Sequence, residues 1–130
     1  APHGYHHTMF SQMTSRALRD ELGRCGEIFG TQALARPWVR PPHGALDARS
    51  MAVAFAAGWS LAMWSFDSLD YKLNTAQELA ARCAPPAVSD GEIVLLHEGQ
   101  QWTLDALPAI VDGLRAAGLE CVTMADLMAR

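Results

Sequence analysis

Four short apolar runs recur along the chain with helix-period segments between them: "RPWVR" (Arg36 to Arg40), "WSLAMWSF" (Trp59 to Phe66), "EIVLLH" (Glu92 to His97) and "LECVTM" (Leu119 to Met124). No other feature constrains the fold as tightly. Strands that alternate with helices pair in parallel, because each helix supplies the crossover that a parallel neighbour needs. The expectation is an α/β fold, and in such folds, open or barrelled, ligands are handled at the carboxyl ends of the strands.

The helical segments carry their own punctuation. Ser11 or Thr14 can cap a helix running to Phe29, with Leu18, Leu22, Cys25 and Phe29 in a stripe and Gly30 as its stop. Asp47 can cap a helix from Ala48 to Ala57, closed by Gly58, and Thr75 to Cys83 forms another. Thr103 to Ala117 puts Leu107, Ile110, Val111 and Leu114 on one face, and Ala125 to Arg130 makes a terminal helical turn.

Half of the 130 residues are hydrophobic and 18% are charged, which is enough apolar material for one packed unit and too little charge for a disordered chain. A formal net charge of -4 gives no basic footprint for nucleic acid or an anionic membrane, and no apolar run reaches the roughly 18 residues of a membrane span. Cys25, Cys83 and Cys121 are too widely separated for a CxxC zinc site, are odd in number, and read as buried free thiols. With no initiator Met and no leader-like stretch, the chain reads as a trimmed product whose localisation stays open.

Residues that can carry chemistry gather at the strand ends. Arg40 and His43 follow the first run, Asp67 and Asp70 follow the second, and His97 closes the third. Near the start, "HGYHH" sets His3 and His7 four apart, a spacing that lets two imidazoles face one divalent metal on a helical turn or tight loop. A metal with open positions polarises a carbonyl, a histidine in reach protonates a leaving amine or alcohol, and a nearby carboxylate steadies that histidine's charged form. Together these read as metal-assisted hydrolysis of an amide or ester. Each residue also has a plainer reading: Arg40 as a loop arginine paired to a surface acid, Asp67 and Asp70 as a helix cap and a turn residue, His97 as a structural histidine. Only their joint placement favours chemistry.

Taken in order, "HGYHH", "RPPHG", "WSFDSLDY" and "IVLLHE" resemble the motifs of the polysaccharide deacetylase family, the NodB-homology domain of carbohydrate esterase family four, across nearly the whole chain. The resemblance implies an incomplete, distorted (β/α) barrel lacking its first strands and helix, with residues 1–130 as the C-terminal portion of a single catalytic domain. It implies a divalent metal, usually zinc, held by His3, His7 and an aspartate. Arg40, Pro42 and Gly44 look like the family's R-x-P-x-G motif, in which the arginine orients a catalytic-base aspartate and the backbone N–H at His43 helps to form the oxyanion hole. In "DSLDY" either Asp67 or Asp70 tunes the catalytic histidine, and Tyr71 lines a groove wall where tryptophan is common. Leu95 belongs to the pocket for the acetyl methyl, and His97 is the general acid, with Glu98 in place of the aspartate often found next.

The family's first motif, a "TFDDGP"-like stretch supplying both the base and the metal-binding aspartate, has no counterpart here, since the first acidic residue is Asp20. The chain is therefore expected to be a piece of a longer protein, completed by its missing N-terminal fragment or by a neighbouring chain. His6 is expected to be a bystander, or in a truncated site to recruit metal, and Trp102 either stacks on a sugar or packs on the last helix. The activity implied is hydrolytic deacetylation of N-acetylated or O-acetylated carbohydrate, with an N-acetylglucosamine-containing polymer or oligosaccharide as partner. The alternative is a catalytically inactive deacetylase-like protein that binds carbohydrate or another partner.

Overall fold

The computed structural model describes residues 2–30 and 37–129, and its packing falls into two units, Ala1–Met63 and Trp64–Arg130. In the first unit the order is α1 (Ser15–Phe29), β1 (Trp38–Val39), α2 (Ala48–Ala56) and β2 (Ser60–Leu61). The Thr14 side chain accepts the Ala17 N–H to start α1, and Gly30 stops it at φ 59, a left-handed conformation that costs glycine little. Asp47 and Ser50 form a reciprocal capping box that opens α2. β1 and β2 pair in parallel, Trp38 with Ser60 and Val39 with Leu61, so α2 is the crossover of a β-α-β unit. Leu18, Leu22 and Cys25 of α1 meet Phe10, Val39, Val53, Ala54 and Trp59 in the first core.

The second unit repeats the plan with β3 (Phe66–Asp67), α3 (Ala76–Arg82), β4 (Val94–Leu95), α4 (Gln101–Ala116) and α5 (Met124–Met128). Thr75 caps α3 by accepting the Glu78 N–H, and β3 pairs in parallel with β4, Phe66 with Val94 and Asp67 with Leu95. Its core joins Leu79 and Cys83 of α3 to Val88 and to Ala106, Ile110 and Leu114 of α4. Both pairings are parallel, as the strand–helix alternation predicts. Burial pushes the Cys25 and Cys83 thiols up in pKa, the state of inert core cysteines.

Several expectations need correction. The run Trp59 to Phe66 is two short strands rather than one, because its backbone changes partner: Ala62 N–H donates to Val39 O, whereas Ser65 N–H and Phe66 N–H donate to Ile93 O. The stretch 119–124 forms no strand; Leu119 packs on the second core and Thr123 caps α5. Cys121 is accordingly exposed. Phe29 is 60% exposed, since the buried face of α1 ends a turn earlier at Gly26. In α4 the fully buried positions are Thr103, Ala106, Ile110 and Leu114, with Leu107 and Val111 half-buried at the flank. Arg36 and Arg130 lie outside the described residues. Among those residues no helix is long and apolar enough to cross a membrane.

Candidate active site

In the first unit the end of β1 and the "HGYHH" loop are stitched together. Arg40 N–H donates to Pro2 O at 2.8 Å, and His3 Nδ1–H donates back to Arg40 O at 2.8 Å. With Nδ1 as donor, Nε2 carries the lone pair, which is the tautomer a metal-ligating histidine uses when a backbone carbonyl orients it. Arg40 Nε lies 3.3 Å from the same Nδ1, a close approach rather than a second bond, because a protonated nitrogen cannot accept. His7 follows at φ 56, and its ring centroid lies 4.8 Å from that of His3 and 4.9 Å from that of His43, edge to face in both cases. The "RPPHG" loop turns tightly after β1: Gly44 N–H donates to Pro41 O, and both His43 (φ 56) and Gly44 (φ 64) are left-handed.

A carboxylate that the sequence reading passed over holds this loop. Glu21 of α1 is buried, and its Oε1 accepts the N–H groups of Tyr5 at 2.6 Å and His6 at 2.7 Å while Oε2 accepts His6 Nδ1–H at 2.7 Å. Burial pushes the Glu21 pKa up, but the hydrogen bonds and charge of His6 and the Tyr5 amide outweigh it and leave the carboxyl below its ordinary value. His6 is therefore a structural clamp rather than a bystander. The sequence does hold a signal for it: Glu21 falls on the same helical face as Leu18, Leu22 and Cys25, where an acid needs partners.

In the second unit Asp70, fully buried, is the acceptor at the centre of a comparable network. His97 N–H donates to its Oδ2 at 2.6 Å and His97 Nδ1–H to its Oδ1 at 2.7 Å, while Thr103 Oγ1–H donates to Oδ2 at 3.1 Å. Burial alone raises the Asp70 pKa, yet the His97 side-chain and backbone bonds, the Thr103 bond and the His97 charge together bring it below the ordinary aspartate value. Trp102 Nε1–H donates to Asp70 O and its ring packs on the second core, so this tryptophan braces the site from the helix side.

Asp67 is engaged elsewhere. Its Oδ1 accepts Leu69 N–H at 2.9 Å and its Oδ2 accepts the Tyr71 hydroxyl at 3.1 Å. Of the two aspartates left open by the sequence, Asp70 is the one that touches His97. Tyr71 is exposed and meets the His97 ring edge to face at 5.3 Å. Leu95 is buried on β4 between Val94 and Leu96, which both pack on the second core, so by strand alternation it points to the other face. Among the described residues the non-glycine positions at positive φ are His7, His43 and Leu69. One falls in each of "HGYHH", "RPPHG" and "DSLDY". Left-handed backbone costs an ordinary residue roughly 1 to 3 kcal/mol and persists only where the surrounding structure holds it.

No protein-family model matches the chain. It is 25% identical over 126 residues to a peptidoglycan-N-acetylglucosamine deacetylase of Listeria monocytogenes, covering 96% of this chain and 26% of that protein. A family 4 carbohydrate esterase from Streptomyces lividans, solved in complex with acetate, matches with a TM-score of 0.83 at 26% identity over 98% of this chain and 66% of that one. Over nearly its whole length the chain is thus similar to peptidoglycan deacetylases and to family 4 carbohydrate esterases. Shared fold does not by itself mean shared activity: a family pseudoenzyme from Bacillus anthracis matches with a TM-score of 0.85 at 24% identity, over 97% of this chain and 44% of that one. The chain spans about a quarter of the length of its Listeria relative.

The resemblance to polysaccharide deacetylases implies a divalent metal, and the donor set can be compared with that requirement. His3 and His7 present neighbouring imidazoles, and the Nδ1–H bond from His3 to a carbonyl leaves the lone pair on Nε2, the atom that could face a metal. Among the described residues no three His, Cys, Asp or Glu side chains gather as a complete metal site.

Proposed function

We propose that the protein containing this chain is a metal-dependent hydrolase that removes the acetyl group from N-acetylglucosamine-containing polymers or oligosaccharides, with O-acetylated carbohydrate as the second substrate class. The observation that carries this reading is the Asp70–His97 pair: a buried carboxylate holds Nδ1–H of a half-buried imidazole, so Nε2 is the atom left to handle a proton. In this reading residues 1–130 are the C-terminal portion of one catalytic domain, an incomplete, distorted (β/α) barrel. The water-activating carboxylate and a third metal ligand come from an acidic motif elsewhere in the parent protein.

His3 and His7 would hold the metal, zinc foremost. When bound, it supplies Lewis acidity that polarises the acyl carbonyl and makes water a better nucleophile near neutral pH. Arg40 orients the base carboxylate of the acidic motif, and the His43 N–H donates to the carbonyl oxygen as negative charge builds there. Leu95 forms part of the pocket for the acetyl methyl, and Tyr71 lines the sugar groove. As the C–N bond breaks, the Nε2 proton of His97 passes to the leaving amine, while Asp70 keeps the ring in one orientation. The products are a free amine and acetate. His97→Ala in the full-length protein should abolish turnover and leave zinc affinity unchanged; wild-type turnover in that variant would contradict the assignment.

A second reading, a catalytically inactive deacetylase-like binding protein, is favoured by the match to a family pseudoenzyme. It predicts oligosaccharide binding without acetate release.

A further inference from the structure

The loop between His3 and His7 is fixed from below. Both residues at its centre, Tyr5 and His6, direct their backbone N–H groups at one oxygen of Glu21, and the His6 ring grips the other. Glu21 is only 3% exposed, so its carboxylate is committed to this loop rather than to solvent. Gly4 completes the close approach: at φ +81, a Cβ there would lie 3.0 Å from Pro42 Cγ and 3.3 Å from Glu21 Oε1. On one side of the clamp His3 is tied to Arg40 O, and on the other His7 is held at φ 56, a conformation that a loose loop abandons.

We propose that Glu21 is a positioning residue of the metal site, setting the spacing and direction of the His3 and His7 imidazoles through Tyr5 and His6, two of the three residues between them. This rests on the reading of His3 and His7 as ligands. Its physical content is preorganisation. A loop already ordered by folding loses little conformational freedom when a metal binds, so the clamp appears as affinity. Outer partners that orient metal ligands typically account for about 10- to 100-fold in metal affinity.

The test is a zinc titration of the full chain, read by calorimetry or by competition with a chromophoric chelator, alongside the melting temperature of each variant. Glu21→Met fills the same buried space with no acceptor and should weaken zinc about tenfold or more. Glu21→Gln keeps an acceptor for the two amides and should lie closer to wild type than to Glu21→Met. If Glu21→Met melts lower but binds zinc as wild type does, Glu21 is structural only and the proposal is overturned. Should Glu21→Met fail to fold, Glu21→Gln and His6→Ala each remove part of the clamp: measurable losses in both support the proposal, and wild-type affinity in both overturns it. His3→Ala locates the zinc. Binding that wild type lacks, or that His3→Ala leaves intact, defeats the ligand reading itself, a failure seen without any Glu21 variant.

Discussion

Both units hold a histidine with a buried carboxylate, and they use it differently. Glu21 reaches up from a helix and grips His6, whose own ring has no assigned chemistry; the effect falls on the neighbours His3 and His7. Asp70 sits in a loop and grips His97 directly by the same two atoms, the backbone N–H and Nδ1–H. In each case one carboxylate fixes both the peptide and the ring, so the imidazole has little freedom left. The lesson is that a buried acid can serve a site at one remove, through the loop, or at first hand, through the ring, and the partner's exposure tells them apart. The His6 side chain is 56% exposed and that of His97 34%.

The largest effect should come from removing the more deeply buried anchor. Asp70→Ala strands the His97 and Thr103 donors and should cost about 3 kcal/mol in urea unfolding, the scale of a broken buried pair. Glu21→Ala should cost less, about 2 kcal/mol, because its partner loop turns to water. Equal costs would erase the distinction. The pH dependence sharpens it further. The folded-state pKa of Asp70 lies below its unfolded value, so its contribution is fully present above about pH 4 and drains away as the pH falls through the lower folded value. Asp70→Asn should flatten the loss of stability on acidification below about pH 4, and an unchanged acid transition would show that this carboxylate is not the linked group.

Next in size is Gly4→Ala, expected to cost about 1 to 2 kcal/mol because it strains φ +81 and crowds Pro42 and Glu21. A neutral result would mean that the loop does not sit on Glu21 as described. The smallest effect belongs to Thr103→Val, which removes one of the bonds to Asp70 while keeping the shape of a buried residue. About 1 kcal/mol is expected in the same unfolding measurement.

Much of the frame was legible because the helix signals are local. Thr14, Asp47 and Thr75 cap where their side chains can reach the next amides, and the apolar runs mark the places where parallel pairing occurs. Partner choice was not legible. Trp59 to Phe66 offers continuous apolar backbone, and nothing in it announces that the ladder passes from Val39 to Ile93. The run at 119–124 has strand composition but forms no strand among the described residues, and Leu119 packs on the second core instead. Strand-end logic pointed to Asp67, Asp70 and His97 together, but which aspartate meets His97 was not legible: both lie in one tight turn, and three residues of separation send them to different partners. Glu21 stayed hidden because an acid on a helix normally faces water, and only its place in the Leu18–Leu22–Cys25 stripe marks it.

The measurement that bears most directly on the account is acetate release from an N-acetylglucosamine oligosaccharide by the full-length protein loaded with zinc. The account predicts one free amine per acetate, loss of both on chelation, and recovery when zinc is restored. Oligosaccharide binding with no acetate released under any metal loading would contradict it and leave the fold with a binding role.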